Sequence, residues 1–217
     1  MWPDHLSTVI ENELAAIGYS IKDTKKLSEC VLRQSDFYIS NPTAKTPWEE
    51  KWCQAAQLSY YFVLNWNRCR GALNRVSEVE FLSDLTHFVD WGAGLGALSS
   101  HLQGLITDIE AIEVASFPTY FLKRHLGIKN LSAKLKPRIR KNAAIGLSYS
   151  LTELESLPEF IFDFENILIV EPSTKSDSRR LMQYRQRLIE SGYSIWAPCV
   201  HEKACPLLEG SKKDWCH

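Results

Sequence analysis

Two constellations in this chain combine residue types that do chemistry. The first is Asp90-Trp91-Gly92-Ala93-Gly94-Leu95-Gly96, with Glu113 following 17 residues after Gly96. Glycines let the chain turn tightly and let a ligand touch the backbone. Where such a turn opens a helix, its unsatisfied N–H groups suit polar or carboxylate ligand groups. Asp90 can hold the turn or meet a ligand ammonium, and Glu113 can accept hydrogen bonds from both hydroxyls of a ribose. The alternative is a structural strand-to-helix turn with a solvated carboxylate at a strand end. The second constellation is Cys199-x5-Cys205-x10-Cys216, with His201 and His217 beside it. Thiolates are soft ligands for zinc or for an iron–sulfur cluster. The spacing is not the paired C-x2-C of a zinc ribbon. Three thiols with His201 or His217 would close a tetrahedral zinc site, three thiols and one further partner would suit a cluster, and inert cysteines are the third reading.

Such residues need a scaffold, and the hydrophobic period supplies one. Leu6, Val9, Ile10, Leu14 and Ile17 recur at helical steps before Gly18, and a second helix is expected over 23–35. Asn41, Pro42 and Pro47 mark a loop. One long helical pattern then runs from Trp48 to Val76, with Trp52, Ala55, Ala56, Ser59, Phe62, Val63 and Trp66 on its buried side. After Phe81 the period changes. THFVD predicts a strand before the glycines, ITDIEAIEVA a second strand, FPTYFLKRHL a helix, and 132–139 a third strand. AAIGLSYSLTEL reads as a strand entering a helix near Thr152. ENILIVEPS, a continuous apolar run, predicts the middle of a parallel sheet. Ser176 is expected to cap a helix over 177–191, and Tyr193–Ala197 to form the last strand. The order predicts an N-terminal helical region, 1–80, and a doubly wound α/β domain, 81–217, ending in the cysteine cluster at 199–216.

The composition is that of a globular protein, with 45% hydrophobic and 24% charged residues and a net charge of −1. No apolar run reaches the roughly 20 residues of a membrane span. MWPDHLSTVIENEL lacks both a secretory and an arginine-rich leader, so the expected location is the cytoplasm. Without a secretion signal, clustered cysteines favour metal over disulfides. Between Glu113 and Glu153 no acidic residue occurs, while Lys123, Arg124, Lys129, Lys134, Lys136, Arg138, Arg140 and Lys141 supply eight positive charges. Like charges without counter-ions repel, and a polyanion relieves that cost. Lys175, Arg179, Arg180, Arg185 and Arg187 form a second basic group.

The form D-x-G-x-G-x-G with a later carboxylate resembles the class I methyltransferase fold rather than the dinucleotide pattern G-x-G-x-x-G. The Asn/Asp-Pro-Pro-aromatic loop of amine methyltransferases is absent. Ser148-Tyr149-Ser150-Leu151 stands in its place, so the sequence identifies no catalytic residue and leaves enzyme status open. Pro198-Cys199 has the outline of a Pro-Cys nucleophile but belongs to the cysteine cluster.

A narrower resemblance rests on I195-W-A-P-C-V-H-E-K-A-C-P-L-L with D-W-C-H, on S-Y-S-L-T-E-L at 148–154, on I-V-E-P-S at 169–173 and on A-Q-L-S-Y-Y-F-V-L-N at 56–65. These resemble the small-ribosomal-subunit assembly family that includes methyltransferase-like protein 17. The resemblance implies a class I methyltransferase-like sheet that binds S-adenosylmethionine through Asp90, Gly92, Gly94, Gly96, Glu113, Ser148 and Tyr149. It implies a [4Fe–4S] cluster on Cys199, Cys205 and Cys216, with zinc as the alternative metal. It further implies a monomeric factor that meets the small subunit and its rRNA through 123–141. The alternatives are an active S-adenosylmethionine-dependent rRNA methyltransferase and a zinc-stabilised interaction domain. Val200 replaces the family's proline, and the sequence stops before the fourth family cysteine and the seventh strand. A truncated chain with its final strand missing is therefore expected.

Overall fold

A computed structural model describes residues 3–78, 81–199 and 201–216. Val200 and His217 lie outside the described residues, as do 79 and 80 at the expected domain boundary. Helix α1 (Asp4–Ala16) buries Leu6, Ile10 and Leu14 along the expected stripe. Helix α2 (Thr24–Ser40) starts where the Asp23 carboxylate accepts the Lys26 N–H, and it outruns the expected end near residue 35. The single helix expected from Trp48 to Val76 is instead α3 (Lys51–Ala56), a π-helical turn (Gln57–Tyr61) and α4 (Phe62–Glu78). Ser59 Oγ donates to the Ala55 carbonyl at 2.7 Å there, a back-bond that competes with the helical ladder.

Five strands follow: β1 (His87–Trp91), β2 (Asp108–Ile112), β3 (Asn130–Ser132), β4 (Ala143–Ser148) and β5 (Asn166–Val170). All pair in parallel, in the order β3-β2-β1-β4-β5. Helices α5 (Ser99–Leu102), α6 (Ser116–His125), α7 (Lys175–Glu190) and α8 (Pro206–Gly210) complete the described elements. The result is a mixed α/β unit, a parallel sheet flanked by helices, consistent with a methyltransferase-like or Rossmann-like fold. Successive strand residues point to opposite faces, and the core divides accordingly. Phe88, Ala111 and Ala144 pack with α1, α2, α4 and α6. Val89, Ile112 and Ile145 pack with Leu151, Ile161, Phe164 and Leu188 on the other face. Gly146 in β4 permits a close approach, since a Cβ there would stand 2.5 Å from Leu98 Cδ2 and 2.6 Å from Phe88 Cε1. Polar clasps reinforce the helical face. His125 Nε2 lies 2.6 Å from Glu13 Oε1 in α1, and His101 Nε2 lies 2.8 Å from the Trp66 carbonyl in α4.

Five expectations change. The third strand is Asn130–Ser132 rather than within 132–139. Leu151–Glu153 forms a single 3-10 turn where a helix was expected. The apolar run of β5 lies at an edge of the described sheet, not in its middle; the run is apolar because both faces are covered, Leu168 and Val170 joining one core cluster and Ile167 and Ile169 the other. Tyr193–Ala197 is not a strand. Tyr193 donates its hydroxyl to the Phe162 and Phe164 carbonyls at 3.2 and 2.7 Å, and Trp196 packs edge-on against Phe81, which holds the segment off the β5 ladder. The cap of α7 is Thr174, accepting the Asp177 N–H, in place of Ser176.

Candidate nucleoside site and its surroundings

The strand order reverses between β1 and β4, since the chain leaves β1 for β2 on one side and returns to β4 on the other. Loops diverge at the carboxyl ends of such strands and leave a crevice where open α/β sheets bind ligands. Asp90 and the three glycines lie at that position. Asp90 is paired in register with Ala111 and Gly146 and is only 1% exposed. Its Oδ2 accepts the Ser99 N–H at 3.0 Å and the Ser99 hydroxyl at 2.6 Å, tying the turn to α5. Its Oδ1 is buried with no partner among the described residues. Burial raises the Asp90 pKa to about 6 despite the bonds from Ser99, and the nearby Glu113 adds to the rise. The helix after the turn is only four residues long and spends its first N–H on Asp90. The helix N-terminus expected there is therefore not available to a ligand.

Gly92 adopts φ +69°, and a Cβ on it would stand 2.6 Å from Ser150 Cβ in the loop after β4. Sterics and backbone together demand glycine. Beside the middle glycine, Gly94, the Trp48 ring would stand 3.8 Å from a built Cβ. Glu113 follows β2 and reaches back to this turn. Its Oε2 accepts the Gly94 N–H at 2.9 Å, and its Oε1 accepts the N–H groups of Val114 and Ala115 at 2.7 and 2.8 Å. Burial pushes its pKa up, those three bonds pull it back, and Glu153 nearby pushes the same way as burial. Asp90, the glycine turn and Glu113 thus lie together, with the Glu113 carboxylate engaged by the turn itself.

Ser148 and Tyr149 lie on the α4 side of the same crevice. Ser148 Oγ is 3.2 Å from the buried Cys69 thiol. Tyr149 holds φ +58°, a strained backbone for a residue with a side chain. Arg68 Nη1 donates to its hydroxyl at 3.2 Å, and the guanidinium lies 5.6 Å from its ring centroid. Glu171, given no role by the sequence, supports this loop. Its Oε1 accepts the Leu151 N–H at 3.1 Å, its other oxygen is buried without a partner among the described residues, and burial lifts its pKa to about 8.

Cys199, Cys205 and Cys216 are half-buried free thiols. Among the described residues no group of three or more His, Cys, Asp or Glu side chains could hold a metal ion. His217, one of the two histidines expected to close a zinc site, lies outside the described residues. The other cysteines do not complete one. Cys30, Cys53 and Cys69 are buried, and burial raises Cys53 and Cys69 to about 12, which keeps both thiols protonated. The cysteine segment is instead held by arginines. Arg179 Nη1 donates to the carbonyls of Leu207, Ser211 and Asp214 at 3.1, 2.9 and 3.0 Å. The buried Arg185 donates to the carbonyls of Lys203 and His201. Arg180 pairs with Asp177 and Arg187 with Glu159. Four of the five charges in the second basic group are therefore committed inside the molecule.

The first basic group is different. Lys123, Arg124, Lys129, Lys134, Lys136, Arg138, Arg140 and Lys141 are all exposed. The connection from β3 to β4 contains no helix and is anchored at two points. Trp91 Nε1 donates to the Leu135 carbonyl at 2.7 Å, and Arg140 pairs with Asp108. A groove of about 270 Å³ lies along it, lined in part by Lys134, Lys136, Arg138 and Arg140. A larger hollow of about 580 Å³ lies beyond β5, between Phe162, Glu165, Arg187 and Trp196. Neither reaches the glycine turn.

A family model described as mitochondrial small ribosomal subunit Rsm22 matches residues 88–217, more than half of the chain. No curated protein and no solved structure matches. The family description is mitochondrial, which overturns the cytoplasmic location expected from the first residues. That expectation rested on what those residues lack, and an address is read by receptors from a segment rather than from the fold. Among the described residues no helix is long and apolar enough to cross a membrane.

Proposed function

The chain belongs to the mitochondrial small ribosomal subunit Rsm22 family, and from that premise we propose a class I methyltransferase-like factor that binds S-adenosylmethionine and small-subunit rRNA and assists assembly or translation of that subunit. The observation that carries the cofactor reading is the orphaned, fully buried Oδ1 of Asp90 beside a glycine turn held by Glu113. An unpartnered buried carboxylate oxygen costs about 1–3 kcal/mol, a cost that a ligand ammonium removes. Asp90, Glu113 and Glu153 bring carboxyl groups that feel one another to this turn. A pyrophosphate would meet them with like charge, whereas a sulfonium and an ammonium meet them with opposite charge. When bound, S-adenosylmethionine supplies an electrophilic methyl. Asp90 would take its ammonium, the glycine backbone its aminoacyl chain and Glu113 its ribose hydroxyls.

The rRNA reading rests on the eight exposed cations at 123–141 and on the groove among them. Contacts of this kind go to phosphates and bring salt dependence with little sequence specificity. An active rRNA methyltransferase is the alternative, and the loop 148–151 offers it no acid, base or nucleophile in a recognisable arrangement.

Filter binding of small-subunit rRNA tests the factor reading. Lys134→Glu with Lys136→Glu is expected to weaken binding uniformly across RNA fragments. The slope of log K against log salt should fall by roughly one to two units, since each lost phosphate contact removes about 0.7–0.9. Unchanged affinity and slope would contradict the assignment. Incorporation of labelled methyl into that RNA by the unaltered chain, lost in Gly94→Asp, would favour the enzyme instead.

A further inference from the structure

The residues joining α2 to α3 run across the mouth of the glycine-turn crevice and are fastened on both sides of it. On the β4 side, the Thr46 N–H and hydroxyl both donate to Glu153 Oε1, at 2.9 and 2.5 Å. On the β2 side, the Ser116 hydroxyl donates to Glu49 Oε1 at 3.1 Å. Between these pins Trp48 lies over Gly94, its ring centroid 6.2 Å from that of Phe117 and its carbonyl held by Gln54 Nε2 at 2.7 Å. Thr46 and Glu153 are 107 residues apart in sequence, so no local propensity brings them together. Beneath this strap the Glu113 carboxylate is taken up by the Gly94, Val114 and Ala115 N–H groups. A ribose that takes those oxygens competes with the Gly94 N–H for Glu113 Oε2, in the space that Trp48 bounds.

We infer that residues 44–50 form a removable roof over the nucleoside site, with Trp48 as the wall that closes on a bound adenosyl sulfonium and the Thr46–Glu153 and Glu49–Ser116 bonds as its latches. The inference rests on the reading of the glycine turn as an S-adenosylmethionine site. The latches are few, polar and half-exposed, which is the character of segments that open locally at small cost. Sequence analysis marks Asn41, Pro42 and Pro47 only as a loop. The partners of that loop follow β2 and β4, far along the chain, where no local pattern points to them.

Stopped-flow binding of S-adenosylmethionine and of uncharged S-adenosylhomocysteine to the full chain tests this. The comparison uses wild type, Thr46→Val, Ser116→Ala and Trp48→Ala, with circular dichroism to verify folding. Ser116→Ala frees one latch without changing charge. Either latch variant should speed association by about fivefold or more for both ligands, because the closed fraction no longer taxes binding. Trp48→Ala should speed dissociation by about tenfold, as loss of an aromatic wall acts mainly on residence time. If wild type binds while neither latch variant changes association, the roof is refuted and the nucleoside site stands. If wild type fails to bind but a latch variant succeeds, the roof is upheld in its strongest form. Failure of every folded variant to bind either ligand overturns the roof together with the site beneath it.

Discussion

At the scale of single residues, the crevice is defined by carboxyl groups kept from water. Glu171 gives the sharpest test because its folded pKa, about 8, stands well above its ordinary value of 4.5. Between those values the folded state holds a proton that the unfolded state has released. Stability therefore falls as pH rises through that window and levels off above it. Glu171→Gln keeps an acceptor for the Leu151 N–H and removes the titration. Chemical denaturation should show the variant close to wild type near pH 5. At pH 8.5 it should be more stable, on the order of 1–4 kcal/mol, since one pKa unit is about 1.4 kcal/mol. A difference independent of pH would mean that the carboxyl is not held neutral by burial. Nothing in IVEPS announces this role. The residue is recognisable only once β5 ends beside the 148–151 loop, whereas Asp90 and Glu113 were legible because their positions follow from strand ends and glycine spacing.

At the scale of elements, the sequence was legible where hydrophobic period and burial agree. Strands β1, β2 and β4 and helices α1 and α6 fall where expected, as apolar residues at fixed spacing compel. It was illegible where long-range partners decide. The 193–197 run has strand-forming residues, yet Tyr193 and Trp196 find partners off the sheet. The arginines of α7 read as a basic face, but Arg179 and Arg185 are spent on carbonyls of the cysteine segment. That second use makes a prediction. Arg179→Ala and Arg185→Ala should undock residues 201–216 while leaving the sheet intact. Trypsin cleavage after Lys203, Lys212 and Lys213 should then accelerate severalfold at unchanged far-ultraviolet circular dichroism, because protection here reflects local opening. Unchanged cleavage would show that the arginines do not hold the segment. The same segment carries the metal expectation, for which the described residues show no group of three or more donors. Donor type and spacing were evident in the sequence, but gathering thiols depends on a backbone path, and this path is set by arginine bonds to carbonyls.

At the scale of the whole molecule, one hydrophobic core joins the N-terminal helices to the sheet, and the two candidate surfaces sit on different parts of that frame. The basic connection 133–141 is pinned to β1 through Trp91 and to β2 through the Arg140–Asp108 pair, with Lys134, Lys136, Arg138 and Lys141 left outward. The nucleoside crevice opens at the carboxyl ends of β1 and β4, under a strap drawn from the helical region. The central claim is that this crevice takes S-adenosylmethionine through Asp90 and Glu113, and calorimetric titration of the full chain tests it most directly. The account predicts saturable binding of S-adenosylmethionine at pH 7.5 and none of a nicotinamide dinucleotide. Loss of Glu113 in Glu113→Ala should cost about tenfold or more in affinity, as for a charged hydrogen-bonding group worth about 1.5–3 kcal/mol. Affinity should also fall as pH drops below about 6, where Asp90 takes up its proton. Equal binding by Glu113→Ala, or tighter binding of the dinucleotide, would contradict it.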